Sequence, residues 1–159
     1  MHEEPVSKTK RKNEMLELQT LGATLLALPE TQLAEIELPH ALVAALREAR
    51  RITSREGKRR QLQYIGRLMR QVDAEPIRVA LAAIEGRSAA ARARQRRLEQ
   101  WRTRLLADDA ALTEFAHEHA GTDLQGLRTL IRNARKEIAA ARPPRAQREL
   151  FRRLRESIA

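Results

Sequence analysis

The chain has 159 residues, enough for one domain or two small helical lobes. Its apolar 42% is mainly Ala and Leu with four aromatics (Tyr64, Trp101, Phe115 and Phe151), a composition that favours helices over sheets. The 31 basic residues against 21 acidic ones give a formal charge of +10, which calls for a polyanionic counterpart; the absence of cysteine excludes disulfides and thiolate metal sites, and no apolar window approaches the ~18 residues of a transmembrane helix.

Residues 1–7 read as a frayed, flexible tail. The opening "MHEEPVSKTKRKNE" lacks the apolar core of a signal peptide, so the expected location is cytoplasmic, away from any membrane. From Lys8 the pattern is helical, with Met15, Leu18, Leu21, Leu25 and Leu28 on one stripe and Pro29 closing the helix. "ETQLAEIEL" (30–38) suits a short helical turn. A long helix is expected from Pro39, with Leu42, Leu46 and Ala49 on its buried side. Its apolar stripe lapses between Thr53 and Gln61, around Gly57, and returns at Leu62, Ile65, Met69 and Val72. The centre of that helix is therefore expected to be bent or exposed all round.

"DAEP" (73–76) marks a break, with Asp73 as a cap and Pro76 opening the next helix. That helix carries Ile77, Ala80, Leu81 and Ile84, and Gly86 is expected to interrupt it. "RSAAARARQRRLEQWRTRLL" (87–106) either continues it or starts afresh at Ser88, with Leu98, Trp101 and Leu105 as the buried edge. Residues 107–123 then change sign, with five acids and no Lys or Arg. Gly121 ends a helix there and Asp123 caps the next, whose Leu124, Leu127, Leu130, Ile131, Ala134 and Ile138 share one side. "PP" (143–144) stops it. A last helix, roughly 145–157, carries Leu150, Phe151 and Leu154. No alternating strand signal or internal repeat is visible. The fold expected is all-α and multihelical, two small helical lobes joined by long basic helices, with residues 8–106 as the N-terminal region and 107–159 as the C-terminal lobe.

The basic residues cluster. Residues 50–70 hold eight Lys or Arg against Glu56 alone; residues 87–104 hold seven against Glu99. Residues 128–155 hold ten, against Glu137, Glu149 and the adjacent Glu156. On one helix Arg51, Arg55 and Lys58 would share a side with Leu62, and Arg128, Arg132 and Arg135 would share another. Clusters with so few neutralising acids point to phosphate binding. Their spread over several helices suits a folded RNA surface better than a single groove-reading helix. Tyr64, the one aromatic inside a basic cluster, is a candidate for stacking on a base or for the core.

Other chemistries find little support. His117 and His119 lie two apart, roughly 200° around a helix, which is poor for one metal. "SREGK" lacks the first glycine of a phosphate loop and the hydroxyl after its lysine. No serine sits in a glycine elbow. The chain is thus expected to be no enzyme, with no catalytic residues, cofactor or metal.

"EGKRRQLQYIGRLMR" (56–70), "EPIR" (75–78) followed by "AL", "LRTLIRNARKE" (127–137), "PP" and "ELFRRLRE" (149–156) together resemble the bacterial ribosome-associated family called DarP or YjgA. "VSK" near the start and "LG" at 21–22 fit as well, so the resemblance runs from about Val6 to Glu156. Many members carry an acidic N-terminal extension where this chain has "MHEE". The resemblance implies a non-enzymatic assembly factor that binds 23S rRNA on the immature 50S particle at the subunit interface and helps the peptidyl transferase centre mature. Other assembly factors or ribosomal proteins are further expected partners, and the chain is expected to act as a monomer. The residues expected to contact RNA are Arg51, Arg55, Lys58, Arg59, Arg60, Tyr64, Arg67 and Arg70, with Arg128, Arg132, Arg135 and Lys136 towards the C-terminus. The alternatives are a helical protein–protein module or a DNA-binding regulator.

Overall fold

The computed structural model describes residues 7–158, which form helices and no strand. In chain order these are α1 (Lys8–Ala27), α2 (Glu30–Leu33), α3 (His40–Arg51), α4 (Arg55–Met69), α5 (Ala74–Ala107), α6 (Ala110–Glu118), α7 (Leu124–Ala139) and α8 (Arg145–Ser157). The all-α, multihelical expectation therefore holds. The chain divides into two compact units, residues 1–86 and 87–159, and the division falls inside α5. The tail expected over residues 1–7 lies outside the described residues except for Ser7, whose hydroxyl accepts from the Lys10 N–H and caps α1.

In the first unit, α1, α3 and α4 bury Leu21, Leu25, Leu42, Leu46, Ile65 and Met69 in one core with Leu33, Ile36, Ile77 and Ile84. Each such side chain contributes roughly 1.5–3 kcal/mol on burial. Gly22 lets α1 lie close to α4: a Cβ there would stand 3.3 Å from Ile65 Cγ2 and 3.5 Å from Met69 Cγ. Two residues of the expected stripes stay outside, Met15 and Leu62, at 41% and 45% exposure. Both line a hollow along the α1–α4 seam.

The single long helix expected from Pro39 is in fact two. Ile52 leaves the helix in extended conformation. Ser54 then caps α4, its Oγ accepting from the Gly57 N–H at 3.1 Å. The gap in the apolar stripe is thus a helix end followed by a helix start. Gly57 belongs to the cap, since a Cβ at that position would sit 2.6 Å from Ser54 Oγ and 2.8 Å from Ile52 Cγ2.

The opposite correction applies at Gly86. It does not interrupt its helix, and α5 runs for 34 residues through it. One glycine costs a helix only about 1 kcal/mol relative to alanine, and Ile77 and Ile84 before it and Leu98, Trp101 and Leu105 after it are each buried. The Asp73 carboxylate accepts from the Glu75 N–H at 3.2 Å where α5 begins.

The second unit packs the later part of α5 with α6, α7 and α8 around Leu98, Leu105, Leu112, Phe115, Leu127, Ile131, Leu150 and Leu154. Trp101 meets Phe115 edge-on at 5.1 Å, and the His119 ring stacks on Phe115 at 4.2 Å. On α7, Leu124 and Ile138 leave the expected stripe and are 40% and 53% exposed. Asp123 caps α7 through the Gly126 N–H at 3.0 Å. The α7–α8 corner closes before the two prolines. Ala141 adopts φ 51°, while Arg142 N–H donates to Glu137 O at 2.9 Å and Ala141 N–H to Ile138 O at 3.3 Å. These are the paired bonds of a Schellman end. The Glu137 carboxylate reaches on to accept from the Ala146 and Gln147 N–H groups at 2.6 and 3.2 Å, so one residue holds both ends of the corner. Among the described residues no helix is long and apolar enough to cross a membrane.

Candidate nucleic-acid interface

Helix α4 buries Ile65 and Met69 and half-buries Leu68, a narrow apolar strip that leaves most of its girth outward. Arg55, Lys58, Arg59, Arg60, Arg67 and Arg70 all occupy that exposed girth. Among the described residues Arg55, Lys58, Arg60 and Arg70 make no ion pair, and Arg59 pairs only with Glu56, at 3.1 Å with both side chains well exposed. Such exposed pairs contribute little and exchange readily for another anion. The Arg67 guanidinium lies 5.8 Å from the centroid of the Tyr64 ring, and Tyr64 is 40% exposed, so it is available for stacking rather than core. Arg51 is exposed and unpaired among the described residues, but it ends α3. The break at 52–54 separates it from the side of α4 that Arg55, Lys58 and Leu62 share, so the expected common side holds for those three and not for Arg51.

In the second unit Arg128, Arg132 and Lys136 recur every four residues along the exposed side of α7. Arg128 touches Gln125 at 3.4 Å; Arg132 and Lys136 have no ion pair among the described residues. Arg135 is differently employed. Its Nε donates to Leu106 O and Nη2 to Leu105 O, both at 3.0 Å, while Nη1 meets Asp109 at 2.7 Å. These carbonyls end α5, where backbone oxygens lack helical partners and carry partial negative charge. Arg135, Arg132 and Arg128 border a cleft of about 560 Å³ whose other wall includes Leu112, Asp108 and Asp109.

Two more arginines close helix ends in the same way. Arg50 donates to Leu28 O at 2.5 Å and to Leu26 O at 3.3 Å where α1 ends, and pairs with Glu30. Arg94 donates to Ile158 O and Arg155 O at the end of α8, both at 2.9 Å. Sequence inspection counts all three simply as positive charge. Their acceptors lie 22, 64 and 29–30 residues away, so no local spacing announces them.

Elsewhere the positive charge is more often matched internally. Arg152 binds Glu149 and Glu156, and Arg153 binds Glu149 and Asp123. The Arg152 hydrogen bond holds the Glu149 carboxyl down at about 2 and pushes the guanidinium further up. Arg104 packs over Trp101 at 4.4 Å and pairs with Glu114. Arg102 and Arg155 lie over the Phe151 ring at 5.3 and 5.0 Å. Helix α4 thus carries a dense set of cations with almost no compensating carboxylate.

Residues 4–155 match the model of a family described as "Dual-action ribosomal maturation protein DarP". Curated proteins with that description include one from Methylobacillus flagellatus, 54% identical over 152 residues, covering 96% of this chain and 84% of that protein. One from Cupriavidus pinatubonensis is 49% identical, covering 98% of this chain and 78% of its own. A third, from Paraburkholderia xenovorans, is 51% identical over 91% of this chain and 73% of its own.

Proposed function

This chain belongs to the DarP family of dual-action ribosomal maturation proteins, and from that premise we propose that it is a cytoplasmic, non-enzymatic factor for the large ribosomal subunit. It binds 23S rRNA on the immature 50S particle at the subunit interface and favours the mature fold of the peptidyl transferase centre. The observation that carries this reading is the set of outward cations on α4 with so few carboxylates to neutralise them.

Arg55, Lys58, Arg60, Arg67 and Arg70 take phosphates directly, and Arg59 does so by exchanging Glu56 for a phosphate oxygen. Tyr64, backed by Arg67, stacks on an unpaired base. Arg51 extends this surface from the end of α3. In the second unit Arg128, Arg132 and Lys136 contact phosphates from α7, and Arg135 secures the end of α5 beneath them. Phosphate contacts position a protein without reading sequence. Selectivity then comes from the shape of the rRNA fold that brings several phosphates to these helices at once. Binding one arrangement better than its competitors shifts the rRNA towards it, and no bond need be made or broken.

Lys58→Glu/Arg60→Glu/Arg67→Glu tests the reading. All three side chains are exposed, so helical content should be unchanged by circular dichroism. Co-sedimentation with purified pre-50S particles should be lost. Full retention of the triple variant on the particles would refute the α4 assignment.

A further inference from the structure

Two exposed apolar side chains of the first unit, Met15 and Leu62, lie along one seam. Between α1 and α4 run two adjoining hollows of about 320 and 310 Å³ that share Leu18, Leu62 and Gly66. Met15 lines one end, and Met15 and Leu62 are among the most exposed large apolar side chains in the protein. Arg67 and Arg70 edge one hollow and Arg59 the other, and no Asp or Glu lines either.

Gly66 adds an independent observation. A Cβ placed there would meet nothing within 4 Å, so no neighbour in this chain requires a glycine, unlike Gly22 with Ile65 at 3.3 Å. A glycine inside a helix weakens it relative to alanine. What it offers in return is close approach of another backbone, and it offers this in the middle of the groove.

We propose that the α1–α4 groove seats an acidic amphipathic helix of a partner protein. Its apolar residues, spaced three and four apart, lie on Leu18 and Leu62 and cross α4 at Gly66. Its flanking Asp and Glu meet Arg59, Arg67 and Arg70. Nucleic acid suits this face less well, because phosphates gain nothing from a floor of leucine and methionine. The charged rim of Arg59, Arg67 and Arg70 is shared with the proposed rRNA surface, and the apolar floor of Leu18 and Leu62 is what favours a helix over nucleic acid here.

The full chain is titrated with a fluorescein-labelled synthetic helix of about four turns, with leucines along one face and glutamates beside them. A scrambled peptide of the same composition is the control. The facially ordered peptide should bind at least about tenfold more tightly than the scrambled one, and Leu62→Lys and Gly66→Gln should each erase that advantage. Neither variant lowers the positive charge. Gly66→Gln places its Cβ in open space and replaces a glycine within a helix, so it should keep or raise the Tm, and lost binding in that variant is not unfolding. Equal binding of the two peptides, or full affinity in both variants, would overturn the proposal. So would a single-stranded rRNA oligonucleotide whose affinity falls with Gly66→Gln as much as the peptide's does, which would make the groove a nucleic-acid surface.

Discussion

Ala141 and Arg135 show how single residues depart from what their type suggests. Ala141 takes a left-handed conformation, φ 51°, at the end of α7, where glycine is the usual occupant. The crowding of its Cβ costs roughly 1 kcal/mol, and glycine's extra freedom in the unfolded chain offsets part of the relief. Ala141→Gly should therefore stabilise by about 0.5 kcal/mol, a Tm rise of about 1–2 °C by calorimetry; an unchanged or lower Tm would show that the corner is not strained. Arg135 sits in the densest basic stretch of α7, yet its donors are spent on the carbonyls of Leu105 and Leu106 and on Asp109. Removing it leaves those carbonyls without their partner. Arg135→Ala should cost about 2 kcal/mol of stability, whereas Arg132→Ala, with no such bonds, should leave the Tm in place and weaken RNA binding. Thermal melts of the two variants side by side separate the roles.

At the scale of elements, helix starts were the most legible feature. Asp73 and Asp123 were expected as caps and each accepts a first-turn N–H, while Ser7, read as part of a tail, caps α1 as well. The errors came from glycine. Gly57 and Gly86 look alike in sequence, but the first follows a capping serine and sits at a break, while the second lies in a continuous helix. Only the packing on either side tells them apart. The exposure of Leu62, Leu124 and Ile138 was likewise hidden, because periodicity marks which side of a helix is apolar and not how far its neighbours reach along it. The α7–α8 corner yields a pH prediction. The Ala146 N–H holds the Glu137 carboxyl below its ordinary value of 4.5, and Arg152 holds that of Glu149 at about 2. Both are depressed in the folded chain. Their stabilisation is therefore complete above the ordinary carboxylate range and drains away as pH falls, down towards about 2 for Glu149. The Tm should decline on acidification below about pH 4.5, and Glu137→Gln should lower the Tm at pH 7 and flatten that decline. Parallel Tm–pH curves for the two proteins would remove Glu137 from this role.

For the molecule as a whole, the ordered motifs from 56 to 156 announced the family, and composition alone raised the expectation of a polyanionic partner. What composition could not supply was the distribution of the charge. Of the three basic clusters, the one around α8 has Arg152 and Arg153 answered by Glu149, Glu156 and Asp123, and three arginines serve as helix-end locks. Helix α4 keeps its outward cations nearly uncompensated, with a second row on α7. The central claim is that these cations displace condensed counterions from rRNA phosphates. The most direct measurement is the salt dependence of Kd for a 23S rRNA segment, or a pre-50S particle, in the wild type and in the α4 triple variant. With about six phosphates neutralised, log K should fall against log salt with a slope near −4 for single-stranded contacts and more steeply for duplex. The triple variant should lose about half of that slope together with its affinity. A wild-type slope near zero, or a slope untouched by the three substitutions, would contradict the account.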